Sequence, residues 1–376
     1  MRGTPLAVRA FVQALLGLGH TVELLTYPQG APAALPGLVH RRSLRLPVGR
    51  VKAGPSLAKL ALDVPFVAAA AWRLLVGRFD VVHAVEEAAH LVAPVARLLR
   101  VPLVADVDSS IPDQLRYSGF ATRGPLLWAA EVSERHALRH AAAVVTVCGS
   151  LTDAVRARAP RARVFQIEDP PLLPEGAREP SGDDAAALRA ALGLDARPVV
   201  LYTGNFEPYQ GVDLLVDAAA RVPGAQFLFV GGEAAEIQAL RARAASLGAA
   251  CVFAGKRPPD DLPLLLRLSD VVASPRCRGT NTPFKVYTYL AAGRPLVATR
   301  VPTHTQLLDD GLAFLVPPTP EGLADGVRAA LEQPDEARRR AERGRALIER
   351  EYSPARYREK VARAYAAIEE KTRRHS

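Results

Sequence analysis

Ser274-Pro-Arg-Cys-Arg-Gly-Thr-Asn-Thr-Pro-Phe-Lys-Val-Tyr-Thr-Tyr-Leu-Ala-Ala-Gly-Arg-Pro-Leu-Val-Ala-Thr299 decides the fold. A short apolar run ends at Ser274 and a polar loop follows. Pro283 suits the first position of a helix, and Thr282 before it is a natural N-cap. Pro283–Ala292 has helical period, Gly293-Arg-Pro breaks it, and Pro295–Thr299 is a second β-rich run. Strand, helix and strand at this spacing make a parallel crossover. Lys285 falls in the first helical turn, where a cation opposes the macrodipole. The placement makes sense when an anion sits at the helix N-terminus, served by Lys285, Arg276 and Arg278. The plainer alternative is a solvated basic loop.

The alternation continues in both directions. Strands are expected at Thr21–Tyr27, Asp80–Ala84, Pro102–Val107 and Ala142–Val147, then at Pro198–Gly204, Gln226–Gly231, Cys251–Gly255, Asp270–Ser274 and Ala313–Val316. Helical segments such as Val8–Leu18, Gly211–Arg221, Ala234–Leu247 and Pro320–Leu331 lie between them. This is the pattern of α/β doubly wound domains with parallel sheets. It occurs twice, with a seam at Asp169–Arg197 broken by Pro170, Pro171, Pro174, Pro180 and Gly182. Residues 1–168, joined by a last helix at 354–376, form one expected domain. Residues 169–197 are a linker and 198–353 the second domain, with a cleft between the two. In such sheets ligands bind beyond the carboxyl ends of the strands. The first half lacks the strand that should precede its first helix, since Met1–Pro5 reads as a loop; a translation start further upstream is expected.

A chain of 376 residues with 49% hydrophobic and 23% charged residues is neither disordered nor fibrous. Cys148, Cys251 and Cys277 are too few and too scattered for a disulfide framework or a cysteine zinc site. No His/Asp/Glu spacing suggests a metal site. The net charge of +9 favours acidic partners. Basic stretches without interleaved aromatics give little support to nucleic acid. From Leu24 to Leu62 there is no acidic residue, whereas Arg41, Arg42, Arg45, Arg50, Lys52 and Lys59 all occur there. That stretch is either a solvated loop or a contact with an anionic membrane. Leu57–Val76, interrupted by Pro65, fits a partly inserted amphipathic pair or a core-facing one. No apolar run is long enough to span a bilayer. With no signal-peptide pattern, a cytoplasmic location is expected, with peripheral contact at the inner membrane face as an option.

The turn Leu201-Tyr-Thr-Gly-Asn-Phe-Glu-Pro-Tyr-Gln-Gly211 joins a buried strand to a helix, with Gly211 where the backbone approaches a ligand. An ordinary tight turn would look the same. With Val252-Phe-Ala-Gly255, Leu268-Ser-Asp-Val-Val-Ala-Ser-Pro275, Tyr289-Leu-Ala-Ala-Gly-Arg-Pro295 and Gly311-Leu-Ala-Phe-Leu-Val-Pro-Pro318, this turn resembles the donor-binding half of family 4 retaining glycosyltransferases of the GT-B fold. Gly19-His-Thr-Val22 and Phe79-Asp-Val-Val-His83 resemble their first half, so the likeness runs from Leu6 to Tyr365.

The resemblance implies a retaining, metal-independent transfer of a sugar from a nucleotide diphosphate sugar to a hydroxyl acceptor, a glycan or a lipid-linked one. No separate cofactor is implied. Donor contacts fall on Gly204, Asn205, Gln210, Gly211, Lys256, Arg276, Thr280, Asn281, Thr282, Pro283, Lys285 and Thr288. Arg276, Lys285 and the Asn281–Pro283 loop would hold the diphosphate, and Thr288 the ribose. Lys256 and Arg257 sit where relatives hold the base. In the facing domain Glu86, Glu87, Asp106, Asp108 and Asp113 form an acidic set. From it Asp108 and Glu87, with His83, are the expected catalytic residues, positioning acceptor hydroxyls or stabilising an oxocarbenium-like centre. His83 is equally readable as a packed histidine, and His304 is open.

Several positions depart from the family pattern. Asn205 and Gln210 stand where an Arg and a Lys are usual, Thr280 and Thr288 where two glutamates are usual, and Asp108 at the usual His. These departures leave a second possibility, a non-catalytic GT-B protein that binds a nucleotide, a glycan or a partner enzyme. A nucleotide-sugar epimerase on the same fold is a third. Fold alone does not choose among them.

Overall fold

The computed structural model describes residues 3–30, 32–47, 57–117, 122–173 and 181–373. Arg50, Lys52, Pro174 and Pro180 lie outside them. The chain divides into two compact units. One contains Thr4–Glu168 and the C-terminal segment from Tyr357, and the other contains Asp169–Arg356.

The first unit begins with α1 (Gly3–Gly17), so the expected entry loop is already helical. Then follow β1 (Val22–Thr26), β2 (Leu38–Arg42), α2 (Leu57–Val76), β3 (Val82–Val85) and α3 (Glu87–Leu98). After them come β4 (Leu103–Val107), α4 (Ile111–Tyr117), α5 (Pro125–His140), β5 (Ala143–Thr146), α6 (Gly149–Arg158) and β6 (Val164–Gln166). β3-β4-β5-β6 form a parallel sheet, and β1 pairs with β2 in a separate parallel pair. Two strands depart from expectation. β2 occupies the start of the basic stretch, where Arg41 and Arg42 are exposed, and β6 is only three residues long. Leu57–Val76 is one helix with Pro65 inside it, not a helix pair.

Successive residues of a strand point to opposite faces, and β4 shows what that does here. Leu103, Ala105 and Val107 pack against Phe66, Ala70 and Leu74 of α2 and Ala89, Val92 and Ala96 of α3. Val104 points the other way, to Phe11 and Leu15 of α1. A strand buried on both faces is largely apolar, and β4 and β5 read as apolar runs in which Asp106 and Thr146 are the polar residues.

The second unit contains α7 (Gly182–Ala191), β7 (Val199–Gly204), α8 (Val212–Ala219), β8 (Gln226–Gly231), α9 (Ala234–Ser246), β9 (Cys251–Gly255) and α10 (Leu262–Leu268). It continues with β10 (Val271–Ser274), α11 (Phe284–Ala291), β11 (Leu296–Thr299), α12 (Pro302–Thr305), β12 (Phe314–Val316), α13 (Pro320–Glu332) and α14 (Pro334–Leu347). The seam residues are not all linker. Ser181 caps α7 with a reciprocal capping box to Asp184, and Leu188 packs against the core. The last helix, α15 (Pro354–Arg373), returns to the first unit, where Tyr357, Val361, Ala364, Tyr365 and Ile368 pack on Phe11, Val104 and Val145.

All six strands of the second unit are parallel, in the order β12-β11-β10-β7-β8-β9. The winding reverses between β7 and β10. The connections leaving those two strands therefore part to opposite sides and open a crevice at their carboxyl ends, the usual ligand position in a doubly wound sheet. Gly204 ends β7 and Ser274 ends β10.

Candidate functional site

Two loops meet at this crevice, one after β7 and one after β10. Cys277 N donates to Tyr209 O at 3.0 Å, tying them together. Gly211 lets them close. Its φ is +65°, and a Cβ there would lie 2.2 Å from the Pro275 carbonyl oxygen. The Arg276 guanidinium lies 5.1 Å from the Tyr209 ring centroid and braces its own loop. Nε donates to Arg278 O at 2.9 Å, and Nη1 and Nη2 donate to Asn281 O and Oδ1 at 3.1 and 3.0 Å. Arg276 and Asn281 are thus brought together by direct hydrogen bonds.

Lys285 is the centre of the cluster. Its ammonium stands 3.8 Å from the Tyr202 ring centroid and donates to Gln210 Oε1 at 3.2 Å. Gly204 makes room for it, since a Cβ at Gly204 would lie 2.9 Å from Nζ. Among the described residues no carboxylate pairs with Lys285. The side chain keeps some solvent contact, but Nζ is crowded deeply by protein atoms. Desolvation, followed by the charge of Arg276, pushes its pKa well below the usual lysine value.

Thr282 does not cap the helix. Pro283 is extended (φ −63°, ψ 127°), α11 starts one residue later than expected, and no side chain caps it. The Thr282 hydroxyl is buried with no hydrogen-bond partner among the described residues. One lysine without a counter-ion, one buried arginine, one orphan hydroxyl and an uncapped helix N-terminus thus share a short stretch. Each is a donor or a positive charge, which is the chemistry of a site for an anion.

A buried network supports this loop from below. Ser274 Oγ bonds His304 Nε2 at 2.8 Å, and His304 Nδ1 meets the Thr299 carbonyl at 2.8 Å. Because that carbonyl only accepts, the proton belongs on Nδ1 and Nε2 accepts from the serine. Thr299 Oγ1 in turn donates to the carbonyl of Arg276. His304 is fully buried, and desolvation pushes its pKa down to about 3. Left open by the sequence, His304 is a structural histidine holding the ends of β10 and β11.

One expected donor residue sits otherwise. Thr288 is fully buried, and its hydroxyl accepts from Leu172 N at 3.0 Å, so it fastens the chain entering the unit and is not presented to a ribose. Lys256 pairs on the surface with Glu233 at 2.6 Å. Thr280 offers its carbonyl to Gln306 Nε2 at 3.2 Å. Asn205 O accepts from the Tyr202 hydroxyl at 2.6 Å, which fixes the aromatic floor under Lys285. Nothing in the sequence marked Tyr202 for that part, because strand alternation accounts for it fully.

In the first unit His83 is an internal tie. Its Nε2 meets Asp106 Oδ2 at 3.0 Å, its Nδ1 meets the Tyr365 hydroxyl at 2.9 Å, and Phe11 lies 4.4 Å from its ring. Glu87 is ion-paired with Lys59 at 2.6 Å, and Asp108 is buried. The unusual carboxylate is Glu86. It has a left-handed φ of +51°, accepts from Ser109 Oγ at 3.0 Å, and has its pKa raised by burial and then by Glu87. A non-glycine residue held in that conformation is strained. Sequence alone could not separate it from its neighbour. Among the described residues no group of three or more His, Cys, Asp or Glu side chains is placed to hold a metal.

Both halves of the chain match known families: the description "Glycosyl transferase 4-like domain" covers residues 2–170, and "Glycosyl transferases group 1" covers residues 197–333. This chain is a group 1 glycosyltransferase. The glycosyltransferase is 30% identical over 287 residues to the alpha-D-kanosaminyltransferase of Streptomyces kanamyceticus, covering 73% of this chain and 72% of that one. It is 31% identical over 205 residues to the phosphatidyl-myo-inositol mannosyltransferase of Mycobacterium tuberculosis, covering 50% of this chain and 53% of that one. Among solved structures it is similar to sucrose-phosphate synthase from Thermosynechococcus elongatus (TM-score 0.80, 21% identity, 98% of this chain and 94% of that one). It is also similar to Anabaena HepE in complex with UDP and glucose (TM-score 0.76, 19% identity, 97% and 96%). These structural likenesses show the GT-B fold, with its two Rossmann-like units.

Proposed function

We propose that this glycosyltransferase takes its sugar from a nucleotide diphosphate sugar and passes it, with retention at the anomeric carbon, to a hydroxyl group of a glycan or lipid-linked acceptor. The observation that carries the donor assignment is Lys285, a desolvated ammonium with no carboxylate partner among the described residues. A diphosphate placed there would meet Lys285, the Thr282 hydroxyl and the amino end of α11, with the charge of Arg276 behind the loop. When the bond from C1 to the diphosphate oxygen breaks, negative charge collects on the leaving group. Fixed donors aimed at it stabilise that charge, commonly a large part of catalysis. The acceptor oxygen bonds to C1 on the face the diphosphate leaves, and its proton passes to the departing diphosphate.

The relatives' names support a sugar-transfer chemistry, and HepE's complex with UDP and glucose is in keeping with a nucleotide donor. A cytoplasmic location belongs to the same proposal, supported by three free cysteines. One observation favours the rival possibility of binding without transfer. Thr280 and Thr288 replace carboxylates, and Thr288 is already engaged by Leu172.

The test incubates the protein with uridine, guanosine, adenosine, thymidine and cytidine diphosphate sugars and a panel of hydroxyl acceptors, and follows the product by NMR. A product with the donor's anomeric configuration is the expected result. An inverted product would overturn retention, and nucleotide binding without any product would favour the rival.

A further inference from the structure

α2 is apolar on two opposite sides. Leu62, Phe66, Ala70 and Leu74 face the core of the first unit. Every exposed position of the described helix is also apolar: Leu60, Ala61, Val64, Ala68, Trp72, Leu75 and Val76. At roughly 100° per residue these positions fan out on the side about 180° from the buried row. Val64, Trp72 and Leu75 are 71%, 62% and 63% exposed. The charged side chains of α2 lie along the flanks and turn inward: Lys59 to Glu87, Asp63 to Tyr27 and Arg73 to Glu23. A helix apolar on opposite sides is normally covered on both, and an exposed patch of this kind marks an interaction site.

The charge beside the patch identifies what covers it. Glu23 bonds both Arg73 of α2 (2.7 Å) and Arg41 of β2 (3.1 Å), which sets the end of β2 against the C-terminal half of the helix. Arg41, Arg42, Leu44 and Arg45 are exposed there, and Arg78 is exposed just past the end of α2, with Asp80 the one exposed carboxylate nearby in sequence. Arginines beside an exposed tryptophan and aliphatic stripe match a lipid surface, which takes apolar side chains below its headgroups and cations at an anionic headgroup layer. No described helix is long and apolar enough to cross a membrane, so the contact is one of lying on the surface.

We propose that the exposed face of α2, flanked by Arg41, Arg42, Arg45 and Arg78, docks the first unit on an anionic lipid bilayer. The docking is independent of the donor site, which belongs to the second unit. The test is co-sedimentation of the full chain with vesicles of phosphatidylcholine alone and of phosphatidylcholine mixed with phosphatidylglycerol, at low and high salt. The protein should bind the anionic vesicles, and high salt should weaken binding. Trp72 emission, isolated in a Trp128→Phe background, should move to the blue. Trp72→Glu/Leu75→Glu and Arg45→Glu/Arg78→Glu should each reduce binding about tenfold or more, with thermal unfolding unchanged.

Absence of vesicle binding would overturn the proposal, as would binding that the two double variants leave intact. A dimer that Trp72→Glu/Leu75→Glu splits, without vesicle binding, would overturn it in favour of a second copy of the chain. Nucleotide-induced thermal shifts should be the same in wild type and in these variants. Failure of docking is thereby separable from failure of the donor assignment.

Discussion

Lys285 shows at the scale of one side chain why the site is built as it is. Its pKa is depressed because burial and the neighbouring Arg276 disfavour the ammonium. A lysine depressed in the folded state lowers stability at every pH below its unfolded value of 10.5, and the loss disappears above it. Lys285→Met keeps a similar length without the charge and should raise stability at neutral pH by about 1 kcal/mol, roughly 2 °C in melting temperature. The gain should shrink as the pH approaches 10.5. The same variant should lose nucleotide diphosphate binding by about tenfold or more, because the anion loses a charge-assisted donor. Isothermal titration calorimetry of wild type and variant with the diphosphate reads that loss directly. A melting temperature that falls, with affinity kept, would count against the anion site. The orphan Thr282 hydroxyl makes the same point without charge, since a buried hydroxyl is left unmatched only at a cost. It was legible as a threonine before a proline, but as a cap, because the extended backbone at Pro283, which moves the helix start to Phe284, is not written in the local pattern.

The strand ends of the second unit are held by an element-scale device, the Ser274–His304–Thr299 network beneath Arg276. Burial lowers the His304 pKa from 6.5 to about 3, so the folded state resists a proton that the unfolded chain accepts below pH 6.5. Stability from this group is complete above pH 6.5 and is lost as the pH falls toward 3, by about 1.4 kcal/mol per pH unit. His304→Gln cannot titrate. Between pH 7 and pH 5, denaturant unfolding of wild type should lose about 2 kcal/mol more than that of the variant; equal losses would remove His304 from the account. His90, depressed to about 4 by burial in the first unit, cancels in the comparison. Elements of this unit were readable because each strand is an apolar run closed by a turn. β2 was not, because Leu38-Val-His-Arg-Arg42 pairs only on one side and leaves Val39, Arg41 and Arg42 exposed. β6 has three residues, too few for a period. The site's loops were readable from proline, glycine and arginine. Its aromatic floor at Tyr202 and the strain at Glu86 were not, since neither follows from local pattern.

For the molecule as a whole, the chain path matters more than the order of domains in sequence. The second unit is built from Asp169–Arg356, whereas the first is completed only by α15, nearly two hundred residues after β6. Tyr365 is the most telling contact, because it fills the core beside Phe11 and bonds His83, which in turn bonds Asp106. The sequence left His83 open between a catalytic and a packed histidine; its Nδ1 is tied to the C-terminal helix. Tyr365→Ala removes a large buried ring and leaves His83 without a partner on Nδ1, a loss of about 3 kcal/mol. Units with separate cores need not unfold as one. The variant should therefore lower the melting transition of the first unit by roughly 8 °C. Nucleotide diphosphate should still raise the transition of the second unit by the wild-type amount, because Lys285, Arg276 and Thr282 are untouched. Differential scanning calorimetry with and without the nucleotide reads both at once. A single transition shifted equally by mutation and by nucleotide would mean that the units unfold together, and that the C-terminal helix secures the donor site as well as the core it fills.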